Sequence, residues 1–311
     1  MFRLLSGIFL GWSLGANDSA NIFGTAVASR VIHYRVAVTI TAVGVVLGAV
    51  WQGSAGMHTV GGLTSYDLNS AFLASLAAAL TVTGMTYLSL PVSTSQAVIG
   101  SILGIGFALE QPINWQGFEK VVVCWIGTPI GAMVISYVLY KCFQALLSTI
   151  TLNLISINRL IKYGLFLSGA YGAYALGANN VANVTGVFAG AGLLTVRAAT
   201  LLGGISIALG AVTYSKRVML TVGGGLVKLD GFSAFIAVLS EAITVHIYAK
   251  IGVPVSTSQA IVGAVIGIGF VLGGRAINNR ALLQILIGWI STPLLAGILA
   301  FFMLKAFVLA F

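Results

Sequence analysis

Charged residues are scarce in this sequence. Asp, Glu, Lys and Arg make up only 7% of its 311 residues, and 59% of the residues are hydrophobic, whereas an ordinary soluble domain is roughly 25% charged. A soluble protein of this length could not keep so much apolar surface away from water. The scarcity of charge therefore excludes a soluble enzyme and a disordered chain, and it indicates an integral membrane protein in a lipid bilayer.

Cysteine is scarce too, and basic residues do not cluster. Cys124 and Cys142 are isolated thiols, so the sequence indicates neither a metal-binding motif nor a disulfide-rich secreted scaffold. The fifteen Lys and Arg residues produce a net charge of +9, but they are spread between apolar segments, as in loops that flank membrane helices. We therefore expect no nucleic-acid partner.

Two motifs occur twice, in the same order. The sequence Pro-Val-Ser-Thr-Ser-Gln begins segments 91–107 and 254–270, which are identical at twelve of seventeen positions. The sequence Gly-Ala-Asn-Asp-Ser-Ala-Asn at 15–21 returns as Gly-Ala-Asn-Asn-Val-Ala-Asn at 177–183. The offsets are 163 and 162 residues, and two motifs in one order at nearly one offset indicate a duplicated half.

Each repeat, which we assign to residues 1–155 and 156–311, contains five apolar stretches. Most of them approach the ~20 residues that a helix needs to span a bilayer. The fourth begins with Pro and hydroxyl residues, so it is either a crossing or a re-entrant segment. The pattern predicts an all-α polytopic membrane protein with helices broken near the midplane. The stretches are 4–28, 36–57, 68–90, 91–109 and 118–142, then 161–190, 196–212, 232–252, 254–272 and 281–309.

Loop charges discriminate between these two topologies. Ten crossings put ten basic residues on one side and five on the other, whereas a re-entrant fourth segment gives eight and seven. Because basic loops are enriched in the cytoplasm, the counts favour ten crossings of the cell (inner) membrane, with both termini outside the cytoplasm. Five crossings per repeat is an odd number, so we expect inverted repeats, an architecture of secondary transporters.

A carboxylate, Asp18, falls in the middle of the first apolar stretch, between Asn17 and Asn21. A charge at membrane depth is costly unless it meets a cation, a partner or water. Nearby glycines would allow the helix to be interrupted, which would expose carbonyl oxygens beside the carboxylate. Such hard oxygens suit Na⁺ or a proton-coupled site; the alternative is a polar cluster that only joins neighbouring helices. The corresponding residues of the second repeat are Asn179, Asn180 and Asn183.

The second motif brings hydroxyl and amide side chains to an expected helix start. Pro in a first turn sacrifices no hydrogen bond, and the unpaired amides there carry the positive end of the helix dipole. Two such starts form a cradle for a tetrahedral oxyanion without a buried Arg. The alternative is simple N-capping of a buried helix. The predicted donors are Ser93, Thr94, Ser95, Gln96, Ser256, Thr257, Ser258 and Gln259.

A second acid, Glu241, also lies in an apolar stretch. Its counterpart in the first repeat is Ala78, so it stands outside the repeated pattern. An unpaired intramembrane acid is a functional candidate, here for proton or cation coupling. Glu241 could equally pair with His246, or lie nearer to the membrane interface.

Together, the two motifs resemble those of the inorganic phosphate transporter (PiT) family, in which Gly-Ala-Asn-Asp-x-Ala-Asn and Pro-Val-Ser-Thr-Ser each occur twice. The resemblance extends from Gly15 to Pro293. It implies a homodimeric secondary transporter, not an enzyme, that carries inorganic phosphate with Na⁺ or H⁺ and needs no other cofactor. The implied coupling-ion residues are Asn17, Asp18, Asn21, Asn179 and Asn183, with Na⁺ at Asp18, Asn21 and Asn183; we add Asn180 and Glu241 to this set.

Three departures from the family pattern bear on the coupling ion and the substrate. Asn180 replaces a second Asp, Gln96 and Gln259 replace His, and apolar residues near Val45 and Ile207 replace an acid. Phosphate can donate a hydrogen bond to a carboxylate, whereas sulfate at neutral pH only accepts. The alternatives to phosphate symport are therefore a permease for sulfate or another tetrahedral oxyanion, and a passive anion channel.

Overall fold

The computed structural model of this chain consists of α-helices. It describes residues 2–65, 67–88, 92–149, 153–222, 229–273 and 279–310, and no strand occurs among them. The predicted all-α class is therefore confirmed. The helices are α1 (Leu4–Ala28), α2 (Tyr34–Gln52), α3 (Ser54–Gly61), α4 (Leu68–Tyr87), α5 (Thr94–Leu109), α6 (Trp115–Ser148), α7 (Leu154–Gly190), α8 (Val196–Val222), α9 (Gly231–Ile251), α10 (Thr257–Val271) and α11 (Asn279–Ala310).

The outer helices turn an apolar surface outward. Within the described residues, six helices are long and apolar enough to cross a bilayer, namely α2, α4, α6, α8, α9 and α11. On α11, the side chains of Ile290, Leu294 and Ile298 are each more than half exposed. They recur every four residues and so form one stripe along the helix. Exposure of such an apolar stripe to water is unfavourable, whereas exposure to lipid is not, as expected for an integral membrane protein.

The two repeats contact each other in reciprocal pairs. Helix α1 packs against α8, and its counterpart α7 packs against α2; likewise α5 packs against α11, and α10 against α6. Replacing each helix by its counterpart in the other repeat turns the first contact of each pair into the second. Such self-complementary contact is typical of a two-fold relation between like halves. The inverted orientation of the halves and their division at residues 155 and 156, inside the first turn of α7, stay predictions.

Glycine allows the helix backbones to touch at two of these contacts. A Cβ atom on Gly15 would overlap the carbonyl oxygen of Ile207, and one on Gly177 would overlap that of Val45. The two contacts are related by the repeat offset of 162 residues. Val45 and Ile207 are fully buried, so these positions, where the family usually has an acid, here serve helix packing.

The third apolar stretch of the first repeat ends part-way along α1. Helices α4 and α1 start side by side, as the hydrogen bond from Arg3 Nε to Asn69 Oδ1 at 2.9 Å near the start of both helices indicates. It ends just after Thr86, whose hydroxyl lies 3.4 Å from Asn17 Oδ1. Helix α1 continues for eleven residues beyond Asn17, or about 16 Å. Helix α4 therefore stops well short of the end of α1.

Helix α5 then returns to the side from which α4 came. Beyond its last turn, Asn114 N donates to Leu63 O at 2.9 Å, so the loops before α4 and after α5 lie together. The second repeat behaves alike: α9 ends beside Asn179, and α7 runs on to Gly190. The prediction of ten full crossings is therefore wrong for these four stretches. A count of loop charges could not detect the hairpins, because segments 88–93 and 251–256 carry no charge.

Helices α1 and α7 pass through their polar motifs without a break. The predicted interruption at Asp18 is therefore wrong. Gly15 serves close packing, and the Ser19 hydroxyl bonds back to the Gly15 carbonyl within the helix. The breaks instead separate the two helices of each hairpin, and they lie at the level of Asn17 and Asn179.

Acidic caps begin the first helix of each hairpin. Asp67 accepts a hydrogen bond from Ser70 N at 2.9 Å, and its counterpart Asp230 accepts one from Ser233 N at 2.7 Å. Partial burial alone would raise the pKa of Asp67, but hydrogen bonds from the Ser70 hydroxyl and the backbone outweigh burial and hold this pKa below its usual value of 3.8. The cap is therefore strongest when it is ionised.

We expect Asp67→Ala to lower the free energy of unfolding by about 1 kcal/mol at neutral pH. Because the pKa of Asp67 is lower in the folded state than in the unfolded state, this contribution is lost as the pH falls through the folded-state pKa, below 3.8. Thermal unfolding in detergent at several pH values tests this. Asn114→Ala removes an amide cap from α6, and its cost should not change with pH. Equal pH dependence of the two variants would contradict the assignment.

Candidate functional site

A reciprocal pair of hydrogen bonds joins the segments at the starts of α5 and α10. The Ser95 hydroxyl donates to the carbonyl of Val255 at 2.9 Å, and the Ser258 hydroxyl donates to the carbonyl of Val92 at 3.0 Å. Ser95 corresponds to Ser258, and Val92 to Val255, at the repeat offset of 163. The starts of α5 and α10 therefore meet inside the protein, as predicted.

Each helix of this pair is capped by the first serine of its motif. Ser93 Oγ accepts from Gln96 N at 3.4 Å, and Ser256 Oγ accepts from Gln259 N at 3.3 Å. The N-capping alternative is thus realised at these two serines. The helices begin at Thr94 and Thr257, so Pro254 precedes the first turn rather than lying in it, whereas Pro91 lies outside the described residues.

Other polar groups at the helix starts remain available for a ligand. The first amides of an α-helix have no acceptor within the helix and mark the positive end of its dipole. Thr94 Oγ1 and Asn180 Nδ2 are buried without a hydrogen-bond partner among the described residues. Hydroxyl and amide hydrogens beside a helix start suit an anion, and buried polar atoms of this kind normally have a partner.

The Asn residues of α7 hold both hairpin turns. Asn183 Nδ2 donates to Ser95 Oγ and to Asn180 Oδ1, each at 2.9 Å. Asn179 accepts from Val255 N at 2.9 Å and donates to Val253 O at 3.1 Å, as a neighbouring strand would. Asn179 therefore positions the extended segment before α10 with its side-chain amide.

The matching residues of α1 reach the start of α10. Asn21 Nδ2 donates to Thr257 Oγ1 at 3.2 Å, and Asn17 Nδ2 donates to Asp18 Oδ1 at 2.8 Å. Asp18 is only 2% exposed and is also within reach of the Thr257 side chain. The structure thus brings the predicted coupling-ion residues of α1 next to a predicted substrate-binding threonine.

Several buried side-chain oxygens of the predicted site residues lack a hydrogen-bond donor among the described residues. They are Asn183 Oδ1, Gln96 Oε1 and Gln259 Oε1. Together with the Asp18 carboxylate they provide hard, mostly neutral oxygens, which suit Na⁺ better than a transition metal. No group of three His, Cys, Asp or Glu side chains that could hold a metal occurs in the described part of the chain.

Glu241 is fully buried on α9, and neither carboxylate oxygen has a hydrogen-bond partner among the described residues. The alternative that it pairs with His246 is wrong. His246 Nδ1 instead lies 2.7 Å from Tyr171 Oη, and its Nε2 lies 2.6 Å from Gln52 Oε1. This polar link between α2, α7 and α9 went unpredicted, because its three residues are isolated in sequence and share no motif.

An open hollow of about 560 Å³ lies away from these residues. It is lined by segments 61–65 and 112–114 and by Gly190 at the end of α7. None of the predicted site residues lines it, and its lining carries no charged side chain. The chemistry therefore points to the crossed helix starts rather than to this surface hollow.

Comparison with known proteins gives matches along nearly the whole chain. The model of a family described as "Phosphate transporter family" matches residues 14–300. A candidate phosphate permease of Methanocaldococcus jannaschii is 33% identical over 96% of this chain and 95% of its own, and the sulfate permease CysP of Bacillus subtilis is 28% identical over 99% and 88%. A solved structure described as the sodium-dependent phosphate transporter has a TM-score of 0.88 and 25% identity, and each chain covers all of the other.

Proposed function

Because this chain belongs to the phosphate transporter family, we propose that it carries inorganic phosphate across the membrane by alternating access, driven by a gradient of Na⁺ or H⁺. The observation that carries the proposal is the reciprocal crossing of the starts of α5 and α10. It brings two dipole-positive helix ends to one buried place without a buried basic side chain among the described residues. Amides and hydroxyls can bind a small dianion there, and without a buried positive charge they can also release it.

The anion would be held chiefly by the threonines of the two motifs and their neighbours. Thr94 and Thr257 start the two helices, and Gln96 and Gln259 lie in the same first turns. Ser93 and Ser256 serve as caps, while Ser95 and Ser258 tie the two turns together. These four serines would therefore shape the anion site, while the threonine hydroxyls and free amides would contact the substrate.

The coupling cation would lie beside the anion, at the Asp18 carboxylate. Asn21 connects this carboxylate region to Thr257, so a cation here would adjoin the start of α10. Asn183 and the two glutamines carry buried oxygens that lack a partner among the described residues and would complete the ligand set, and Asn17, Asn179 and Asn180 would support these ligands. The similar solved structure is described as sodium-dependent, which supports Na⁺ at this position. Cation and anion bound side by side would raise each other's affinity.

The remaining expectations concern orientation and assembly. Each repeat has three crossing elements, namely α1, the α2–α3 pair and α6 in the first, together with one hairpin. Three is again an odd number, so the argument for inverted repeats holds without ten crossings. With hairpins, the basic loop residues divide eight to seven, so their count no longer favours one orientation. We retain both termini outside the cytoplasm of the cell membrane, and a homodimer, as proposals that rest on the family alone.

Transport by purified protein in liposomes tests the function. We expect saturable uptake of radiolabelled phosphate under an inward Na⁺ or H⁺ gradient, and counterflow when unlabelled phosphate is present inside. Sulfate is the competitor to include, because a relative over nearly the whole chain is named a sulfate permease. Preferred uptake of sulfate would replace phosphate as the substrate, and unsaturable flux without counterflow would indicate a channel instead.

We expect Thr94→Ala to raise the KM for phosphate about 10- to 100-fold in this assay. The hydroxyl is buried and lacks a partner among the residues that the structure describes, and a hydrogen bond to a charged ligand contributes about 1.5–3 kcal/mol. The matched control is Thr128→Ala, because that buried hydroxyl donates to Cys124 O in its own helix at 2.6 Å. An unchanged KM in Thr94→Ala would remove this hydroxyl from the substrate site.

A further inference from the structure

Glu241 is a buried acid in apolar surroundings that the proposed cation site does not use. Its exposed fraction is 0%, and both of its oxygens lack a hydrogen-bond partner in the part of the chain that the structure describes. On α7, a Cβ atom added to Gly172 would lie 3.4 Å from Glu241 Oε2 and 3.3 Å from Ile22 Cγ2 of α1. The carboxyl therefore lies close to the backbone of α7 at Gly172, where Ile22 of α1 also packs.

These surroundings suit a proton better than a metal ion. Na⁺ and other hard cations need a shell of several oxygen ligands, and glycine and isoleucine side chains provide none. A proton needs one oxygen atom only. A carboxylate left ionised in hydrocarbon, without partner or water, is strongly disfavoured.

The face of α1 that approaches Glu241 carries another acid. Asp18 lies one helical turn before Ile22 and so shares its face of α1, and two negative charges there repel each other. Of the other titratable groups on the surrounding helices, Tyr171 of α7 and His246 of α9 are engaged with each other, and His246 also with Gln52. No Lys, Arg or His is among the buried residues that the structure describes. No basic side chain therefore compensates the two acids.

The two acids also make the repeats unequal. Glu241 belongs to the second repeat but lies near Asp18 of the first. The counterparts of these residues are Ala78 and Asn180, which carry no charge. One of the two equivalent places in the protein therefore has two carboxyls, and the other has none.

We propose that Glu241 binds and releases a proton during the transport cycle, in exchange with the occupancy of the Asp18 site by a cation. When the Asp18 site is empty of cation, the repulsion between two buried carboxylates is relieved by a proton on Glu241. A cation at Asp18 reduces that repulsion and allows the proton to leave. The inference rests on the proposed function, because it makes phosphate transport proton-linked through a named residue.

The first test measures protons moved per phosphate in liposomes, with an enclosed pH-sensitive dye and radiolabelled inorganic phosphate. In the wild type, Glu241 releases its proton outside when the cation binds and takes one up inside when the cation leaves, so it carries one proton outward per phosphate imported. We expect Glu241→Gln to keep phosphate counterflow and to lose this export, so that net proton entry per phosphate rises by one. The protons that phosphate itself carries cancel in this comparison. Glu119→Gln, which changes an exposed acid at the start of α6, is the matched control. An unchanged ratio in Glu241→Gln would overturn the proposal.

The second test does not depend on transport. Infrared difference spectra of the wild type with and without Na⁺ should contain a carboxylic-acid C=O band that is absent from Glu241→Gln. If that variant carries no phosphate at all, presence of the band in the wild type supports the proposal and its absence overturns it. If the wild type shows no phosphate counterflow, the proposed function fails, whereas the infrared band still decides whether Glu241 exchanges a proton.

Discussion

Asp18→Asn is expected to reduce cation-driven phosphate accumulation at least about 100-fold and to leave the protein folded. Asp18 supplies the charge at a site whose other oxygens are neutral, and it is only 2% exposed. Changes in the second shell of a metal site already cost roughly 10- to 100-fold in affinity, so loss of the charged ligand should cost no less. Uptake under imposed Na⁺ and H⁺ gradients measures the effect.

The control for this variant is Asp230→Asn, which makes the same chemical change in a helix cap, where Asn is accepted as well as Asp. Phosphate counterflow in Asp18→Asn separates two defects, because exchange without a gradient tests the anion site alone. Accumulation equal to that of the wild type would eliminate Asp18 as the coupling carboxylate.

Gly177→Ala is expected to prevent stable folding or to lower the thermal unfolding midpoint by many degrees. The added Cβ would overlap the carbonyl oxygen of Val45, so α7 and α2 could no longer touch. Forcing extra atoms into a packed interior typically costs about 1–3 kcal/mol, and a clash with backbone in two long helices belongs at the upper end. Gly15→Ala, which meets the carbonyl of Ile207 in the same way, should behave alike.

The matched control is Gly131→Ala on α6, where an added Cβ has no neighbour within 4 Å. Alanine favours a helix over glycine by about 1 kcal/mol, so this variant should be neutral or slightly stabilised. Folded yield after detergent extraction and the unfolding midpoint measure both effects. A Gly177→Ala protein as stable as Gly131→Ala would contradict the direct contact between helix backbones.

Repetition made much of this molecule predictable from the sequence. The two copies of Pro-Val-Ser-Thr-Ser-Gln predicted the paired helix starts, and the structure ties them together through Ser95 and Ser258. The two Asn motifs predicted polar clusters within the membrane, and the structure places Asn21 and Asn183 beside the helix starts, where they bond to Thr257 and Ser95. A pattern found twice at one offset excludes most accidental explanations.

The features that were not predicted leave no trace in hydropathy or charge. The hairpins reverse in uncharged segments, so α4 and α9 read as full crossings. Glycine at position 15 suggested a broken helix, whereas it permits a close backbone contact. The roles of Asn179, which replaces strand-like hydrogen bonds, and of His246, which bonds to Tyr171 and Gln52, depend on partners distant in sequence.

The reciprocal packing of the two halves has an evolutionary consequence. The faces of α1 and α2 are complementary to α8 and α7, so one half alone would leave those faces uncovered. A polypeptide of half this length could satisfy them only by pairing with a second copy of itself. Joining two such copies in one gene would free each to diverge on its own, and an acid at 241 opposite an alanine at 78 is a specialisation that an ancestor built from identical subunits could not have had.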